Sequence, residues 1–234
     1  MRLLFVDTSG ATAGVALADD GRIVAESNLL LDRRLSARLL AVIEGCLAEA
    51  GMTVAGLDGI GVAYGPGSFT GVRIGMATVK GMALAAGLPV VGVSSLALLA
   101  ANLPYARHQV CALMDARKKE VYAGLFRCEP LPVAISPEAV LTPDRLFEQI
   151  VEPTIFVGDG VLAYRELISA RCGDLALFAP CSSNYPRGAG GISLAQEAFL
   201  RGEGRGPERL GPVYIRASEA ERNKVQSSRL KAGK

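Results

Sequence analysis

The stretch Gly65-Pro66-Gly67-Ser68-Phe69-Thr70-Gly71-Val72-Arg73-Ile74-Gly75 decides how this chain folds, because it carries a buried run through a sharp turn into a helix. The run before it, Gly59 to Tyr64, is short, apolar and bounded by glycines, as expected of a strand covered on both faces. Pro66 has no N–H to donate, and the flanking glycines tolerate backbone angles that other residues resist. Ser68 or Thr70 can cap the helix that follows, which runs to about Ala86. Gly71, Gly75, Thr78, Gly81 and Ala85 recur at spacings of three or four and give that helix a face almost bare of side chains. A glycine-rich turn before a helix invites an anion-binding reading. A Walker loop would need Lys and Ser or Thr where Val72 and Arg73 stand, and the glycines at 65, 67 and 71 do not fit the dinucleotide spacing. Tight turning and close helix packing are the simpler use of these glycines.

Outward from this turn, Leu3 to Val6, Ala13 to Ala18 and Arg22 to Asn28 read as three strands joined by short turns, hence antiparallel. A helix capped at Ser36 follows, with Leu39, Val42, Ile43, Cys46, Leu47 and Ala50 on one face and a stop at Gly51. Pro89 to Val93 is a further strand. The second half repeats the plan less regularly: Val110 to Asp115, Glu120 to Arg127, strand material at Leu131 to Ile135, and a helix after Thr142-Pro143. Then come Thr154 to Val157 and helices at about Val161 to Arg171 and Ile192 to Arg201. Two β-β-β-α-β-α halves describe an α/β fold of the duplicated ribonuclease-H-like (actin/Hsp70/sugar-kinase, ASKHA) kind. The expected division is a first lobe over 1–104, a second over 105–220, and a basic tail over 221–234.

Composition fits a globular protein: among 234 residues half are hydrophobic, 21% are charged, none is Trp, and the formal charge is +2. So small a charge does not by itself argue for nucleic acid. Cys46, Cys111, Cys128, Cys172 and Cys181 are odd in number and never in C-x-x-C spacing, which suggests reduced thiols and a cytoplasmic location. Asp7 interrupts the N-terminus before a signal-peptide core could form, and no segment has the apolar length of a membrane span.

The acidic turns bear on chemistry. Asp7-Thr8-Ser9 ends the first strand, where an Asp and two hydroxyls could orient a metal on a nucleotide, with Gly67 and Ser68 as the facing anion loop; Asp7 capping its own turn is the alternative. Asp115 is followed by Ala116 and Arg117, so a second phosphate loop looks degraded. The single histidine, His108, excludes a histidine-pair metal site, and no Ser stands in a G-x-S-x-G elbow.

Asp7-Thr8-Ser9, the whole Gly65 to Gly75 segment, Lys80-Gly81, Pro89-Val90, Val93-Ser94-Ser95-Leu96, Met114-Asp115-Ala116-Arg117, Glu120-Val121-Tyr122 and Pro212-Val213-Tyr214-Ile215-Arg216 together resemble the TsaB (YeaZ) family. The resemblance implies a non-catalytic subunit of the bacterial machinery that makes N6-threonylcarbamoyladenosine at position 37 of tRNAs reading A-starting codons. It implies pairing through first-lobe helices with a TsaD-like catalytic paralogue, a TsaE-like ATPase docking on that heterodimer, tRNA reached indirectly through the complex, and a homodimer when the chain is alone. No cofactor is then expected on this chain; ATP and a metal belong to the partner subunits. Leu39, Ile43, Gly71, Arg73, Gly75, Met76 and Lys80 are the expected partner interface, and no catalytic residue is expected. Leu35-Ser36-Ala37 departs from the His-Ser-Glu of many members, which unsettles the interface at residue level. An independent ATP-dependent phosphotransferase or ATPase of the same fold, with Asp7 holding the metal, is the alternative. The tail, with Arg222, Lys224, Arg229, Lys231 and Lys234, is expected to be solvated.

Overall fold

The computed structural model describes residues 1–30 and 35–216, with side chains from 38 onward in the second stretch. The expected cap at Ser36, the Leu35-Ser36-Ala37 departure as side chains, and the 221–234 tail lie outside the described residues.

Strands β1 (Arg2–Asp7), β2 (Thr12–Asp19) and β3 (Arg22–Leu30) form the antiparallel meander, and β4 (Gly59–Gly65) and β5 (Val90–Ser94) extend it in parallel. The sheet order is β3-β2-β1-β4-β5. Helices α1 (Leu35–Glu49) and α2 (Phe69–Ala86) make the parallel crossovers, and α3 (Ser95–Ala100) follows β5 directly. The second half places β6 (Gln109–Asp115), β7 (Val121–Cys128), β8 (Pro132–Ala134), β9 (Ala139–Leu141), β10 (Thr154–Val157) and β11 (Ala176–Phe178) in a second sheet, ordered β11-β10-β6-β7-β8 with β9 also on β7. Its helices are α4 (Pro143–Phe147), α5 (Asp159–Cys172) and α6 (Gly188–Leu200). Both sheets thus have an antiparallel pair at the centre with parallel strands added on one side, the duplicated ribonuclease-H-like plan.

Burial explains the sequence patterns. β1, β2 and β4 are buried almost throughout because helices cover both faces, so their sequences are continuously apolar rather than alternating. On the outer face Leu4, Val6, Val15 and Leu17 pack with Leu39 and Ile43 of α1 and Met76 and Val79 of α2. On the inner face Leu3, Phe5 and Ala16 pack with Ile192, Ala195 and Ala198 of α6.

This inner packing crosses the expected division of the chain. Helix α6 comes from the second half yet covers the first sheet, while Leu96, Leu99 and Ala100 of α3, from the first half, pack on Val110, Ala112 and Phe126 of the second sheet. The two inner helices are exchanged, so a cut after residue 104 separates the sheets along the chain but not their cores. The physical reason is that each inner sheet face needs an apolar cover, and the helix from the opposite half lies between the sheets to supply it. Neither α3 nor β11 was expected from the sequence. After α6 the chain returns to the first sheet: Val90 and Arg205 exchange backbone bonds of 2.9 and 3.1 Å, and Val213 N–H donates to the Tyr64 carbonyl at 3.0 Å. Among the described residues no helix is long and apolar enough to cross a membrane.

Candidate functional site

The turn read first from the sequence sits where the two sheets face each other across a cleft of about 940 Å³. Ser68 caps α2, its Oγ accepting from Gly71 N–H at 3.2 Å. Its own N–H donates to the Ser9 carbonyl at 2.7 Å, so the β4–α2 turn lies directly on the β1–β2 turn. At Gly67 a Cβ would overlap the Ser9 carbonyl oxygen, and at Gly71 it would overlap that of Thr8. Thr8 Oγ1 donates to the Gly71 carbonyl at 2.7 Å, and a side chain at Gly75 would run into the same hydroxyl. The bare face of α2 is therefore occupied at its first two glycines by this chain's own Thr8.

The structure brings Asp7, Thr8, Ser9, Gly67 and Ser68 together, but closed on one another. Asp7 is fully buried and does not line the cleft; its Oδ1 accepts from Ser9 N–H at 2.8 Å. Burial pushes its carboxyl up to about 6, against the opposing pull of hydrogen bonds from Ser9 and Thr8. Across the cleft the β6–β7 turn is built differently. Asp115 Oδ1 accepts from Arg117 N–H at 2.8 Å, and its N–H donates to Asp159 Oδ1 at the start of α5, at 3.1 Å. Burial raises the Asp159 carboxyl above the ordinary range, opposed by that bond. The first turn, which this architecture would use to hold a metal-bridged triphosphate, offers no carboxylate to the cleft. Asp7 is out of reach and the Ser68 N–H is already committed to Ser9, while Asp115 and Asp159 line the cleft beside Arg117. Among the described residues no three His, Cys, Asp or Glu side chains converge to hold a metal.

Most residues expected at the partner interface are buried within the chain. Leu39, Ile43 and Met76 are buried in the first core, and Gly71 and Gly75 are buried against Thr8. Their apolar or small character serves the chain itself, since a helix stripe that faces a sheet has the same spacing as one that faces a partner. Lys80 reaches the Leu210 carbonyl at 2.9 Å. Arg73 is exposed, with its guanidinium 3.7 Å over the Phe69 ring and its Nε donating to the Tyr214 hydroxyl at 2.7 Å. The returning segment carries Arg216 further, to the Ala116 carbonyl at 2.7 Å and into an ion pair with Glu120. Phe69, Tyr214, Arg117, Lys118 and Arg216 were not selected from the sequence as site residues. The basic run at 117–119 was the only local signal, and it reads equally well as a solvated turn.

A family model described as "TsaD: tRNA N6-adenosine threonylcarbamoyltransferase" matches residues 29–224. The chain is 30% identical to the tRNA threonylcarbamoyladenosine biosynthesis protein TsaB of Bacillus subtilis, over 98% of this chain and 100% of that protein. It is 31% identical to the TsaB of Escherichia coli, over 94% and 96%. The solved structure of YeaZ from Pseudomonas aeruginosa is similar at a TM-score of 0.78 and 35% identity, covering 91% of this chain and 99% of that one. Component A of the (R)-2-hydroxyglutaryl-CoA dehydratase of Acidaminococcus fermentans shares the fold at a TM-score of 0.52 and 11% identity, over 87% and 99%.

Proposed function

The chain belongs to the TsaB family, and on that basis we propose that it serves the formation of N6-threonylcarbamoyladenosine on tRNA as a non-catalytic partner of a TsaD-type paralogue. The observation that carries this is the match to TsaB proteins from one end of the chain to the other. The burial of Asp7 away from the cleft and the pairing of Asp115 with Arg117 support the non-catalytic part. ATP and metal, in this proposal, are handled by the partner subunits, and a TsaE-type ATPase joins the heterodimer.

The partner surface follows from which helix positions remain open. On α1 Ala41, Gly45 and Ala48 are exposed, and on α2 Ala77, Gly81 and Leu84 are exposed, Leu84 to 76%. A Cβ at Gly45 or Gly81 would meet nothing within 4 Å. Small residues on two neighbouring helices let a second helix pair approach closely. This outward face stands in for the buried Leu39, Ile43, Gly71, Gly75 and Met76. With no paralogue present, the same face can pair two copies of this chain.

Light-scattering mass on a sizing column tests the proposal, for this protein alone and mixed with the TsaD-type protein of the same cell. A mixed peak at the heterodimer mass is expected, and Gly81→Trp combined with Leu84→Asp should abolish it with the near-ultraviolet dichroism unchanged. A bulky residue at Gly75 would be a poor probe, because it strikes Thr8 within the chain. Separate elution well above micromolar concentration sinks the partner reading, and ATP turnover lost in Asp7→Ala would favour the phosphotransferase.

A further inference from the structure

At the mouth of the cleft, aromatic and basic groups meet from three segments: the start of α2 with Phe69 and Arg73, the returning segment with Tyr214 and Arg216, and the β6–β7 turn. Phe69 and Tyr214 lie side by side with ring centroids 5.1 Å apart and planes tilted by 31°, and the Arg73 guanidinium covers one face of Phe69 at 3.7 Å. Both rings remain open to solvent, 41% and 42% exposed. Core packing does not account for this placement, because a ring held in the core would be covered. Opposite them, Arg117, Lys118 and Lys119 take φ values of 61°, 55° and 61° in succession. Each such left-handed residue costs about 1–2 kcal/mol. The turn so held presents Arg117 with its side chain 87% exposed, and Arg117, Lys118, Phe69, Arg73 and Arg216 line the same cleft. Arg216 is paired with Glu120, and Arg117 pairs with Asp115 at 3.4 Å, a contact that the 87% exposure of the Arg117 side chain leaves weak and exchangeable, while Asp159 takes the Asp115 N–H at 3.1 Å.

We propose that this mouth binds single-stranded RNA, stacking an unpaired base on the Phe69–Tyr214 pair and holding the adjoining phosphates with Arg117 and Lys118. An open aromatic platform beside long basic side chains is the arrangement that accepts any base by its face and the backbone by its charge. A mononucleotide would need donors converging in the depth of the cleft, where the Ser9 and Ser68 turns are bonded to each other. A duplex buries its base faces and offers nothing to the stack. The preference for RNA over single-stranded DNA rests on the proposed function; the stacking and phosphate binding rest on the geometry. The chain would then touch the RNA itself, in addition to whatever its partner touches.

Fluorescence anisotropy with the full chain and a labelled RNA stem-loop tests this, with a blunt RNA duplex of the same stem as comparison. The stem-loop should bind more tightly than the duplex. Phe69→Ala should weaken stem-loop binding on the order of tenfold, and Phe69→Trp should retain it. Arg117→Glu with Lys118→Glu should weaken it further and lower the salt slope by about 0.7 for each phosphate that is no longer neutralised. Equal binding of stem-loop and duplex overturns the inference, as does binding indifferent to Phe69→Ala, which would place it elsewhere, the basic 221–234 tail included. Displacement of the stem-loop by millimolar ATP also overturns it, in favour of a mononucleotide site. If the mixed complex forms while the RNA result fails, this inference alone falls; if the stem-loop binds as expected while no complex forms, the partner reading falls instead.

Discussion

The two halves of the molecule build the same junction from opposite materials. In both, a glycine after a parallel strand lets the chain pass over a carbonyl at the end of the neighbouring central strand: Gly67 over Ser9, just beyond β1, and Gly158 over Leu113, near the end of β6. In the first half the helix that follows is capped by a neutral hydroxyl, Ser68, and the facing turn is Asp7-Thr8-Ser9, folded in and buried. In the second half the helix opens with a carboxylate, Asp159, and the facing turn is Arg117-Lys118-Lys119, folded out and charged. The backbone crossing is set by the fold, because two backbones cannot pass there with a Cβ between them. The side chains around it are free to differ, and that difference turns one junction into packing and leaves the other as surface.

What the junctions share should give the largest effect. Gly67→Ala and Gly158→Ala each drive a methyl into a backbone carbonyl that cannot step aside, and each should cost about 3 kcal/mol or more in urea unfolding. A clear difference between the two would break the equivalence. What they do not share should appear next, in the pH dependence of stability. Asp7 has its carboxyl raised from 3.8 to about 6, so between those values the folded state holds a proton that the unfolded chain has released. Stability from this group is therefore full below about pH 4 and falls as pH rises to about 6, by about 3 kcal/mol for a shift of this size. Asp7→Asn should remove that fall, so the variant gains on the natural chain from pH 4.5 to 7. A constant difference between the two over that range would mean that Asp7 is not the buried acid described. The smallest effect is expected in the second turn. Lys118→Gly relieves one left-handed residue and should raise stability by about 0.5–1 kcal/mol in the same assay; a decrease instead would show that side-chain interactions hold the charged turn.

Much of this was legible in the sequence. The apolar runs at Leu3–Val6, Gly59–Tyr64 and Val110–Asp115, with their turn residues, placed the central strands of both sheets, since strands buried on both faces cannot be read as anything solvent-facing. Short elements were missed: α3 has six residues and β11 has three, too few for a period to emerge. The glycine stripe of α2 was legible as small and illegible as to direction. Six residues at about 100° each leave Gly81 roughly 120° around the helix from Gly75, so one faces Thr8 and the other faces outward. Spacings of three and four hid that drift.

Local patterning was enough for the duplicated α/β plan and the turn at Gly65–Gly75, because hydrophobic period and glycine placement are direct consequences of backbone geometry; the family came from the resemblance of its motifs. It took the packed molecule to show that α3 and α6 change places between the sheets, that Leu39, Ile43, Gly71, Gly75 and Met76 are spent inside the chain, and that Tyr214 returns to lie beside Phe69. Each of these joins residues far apart in the chain, and which of two equally apolar or equally small faces is buried depends on what arrives to cover it.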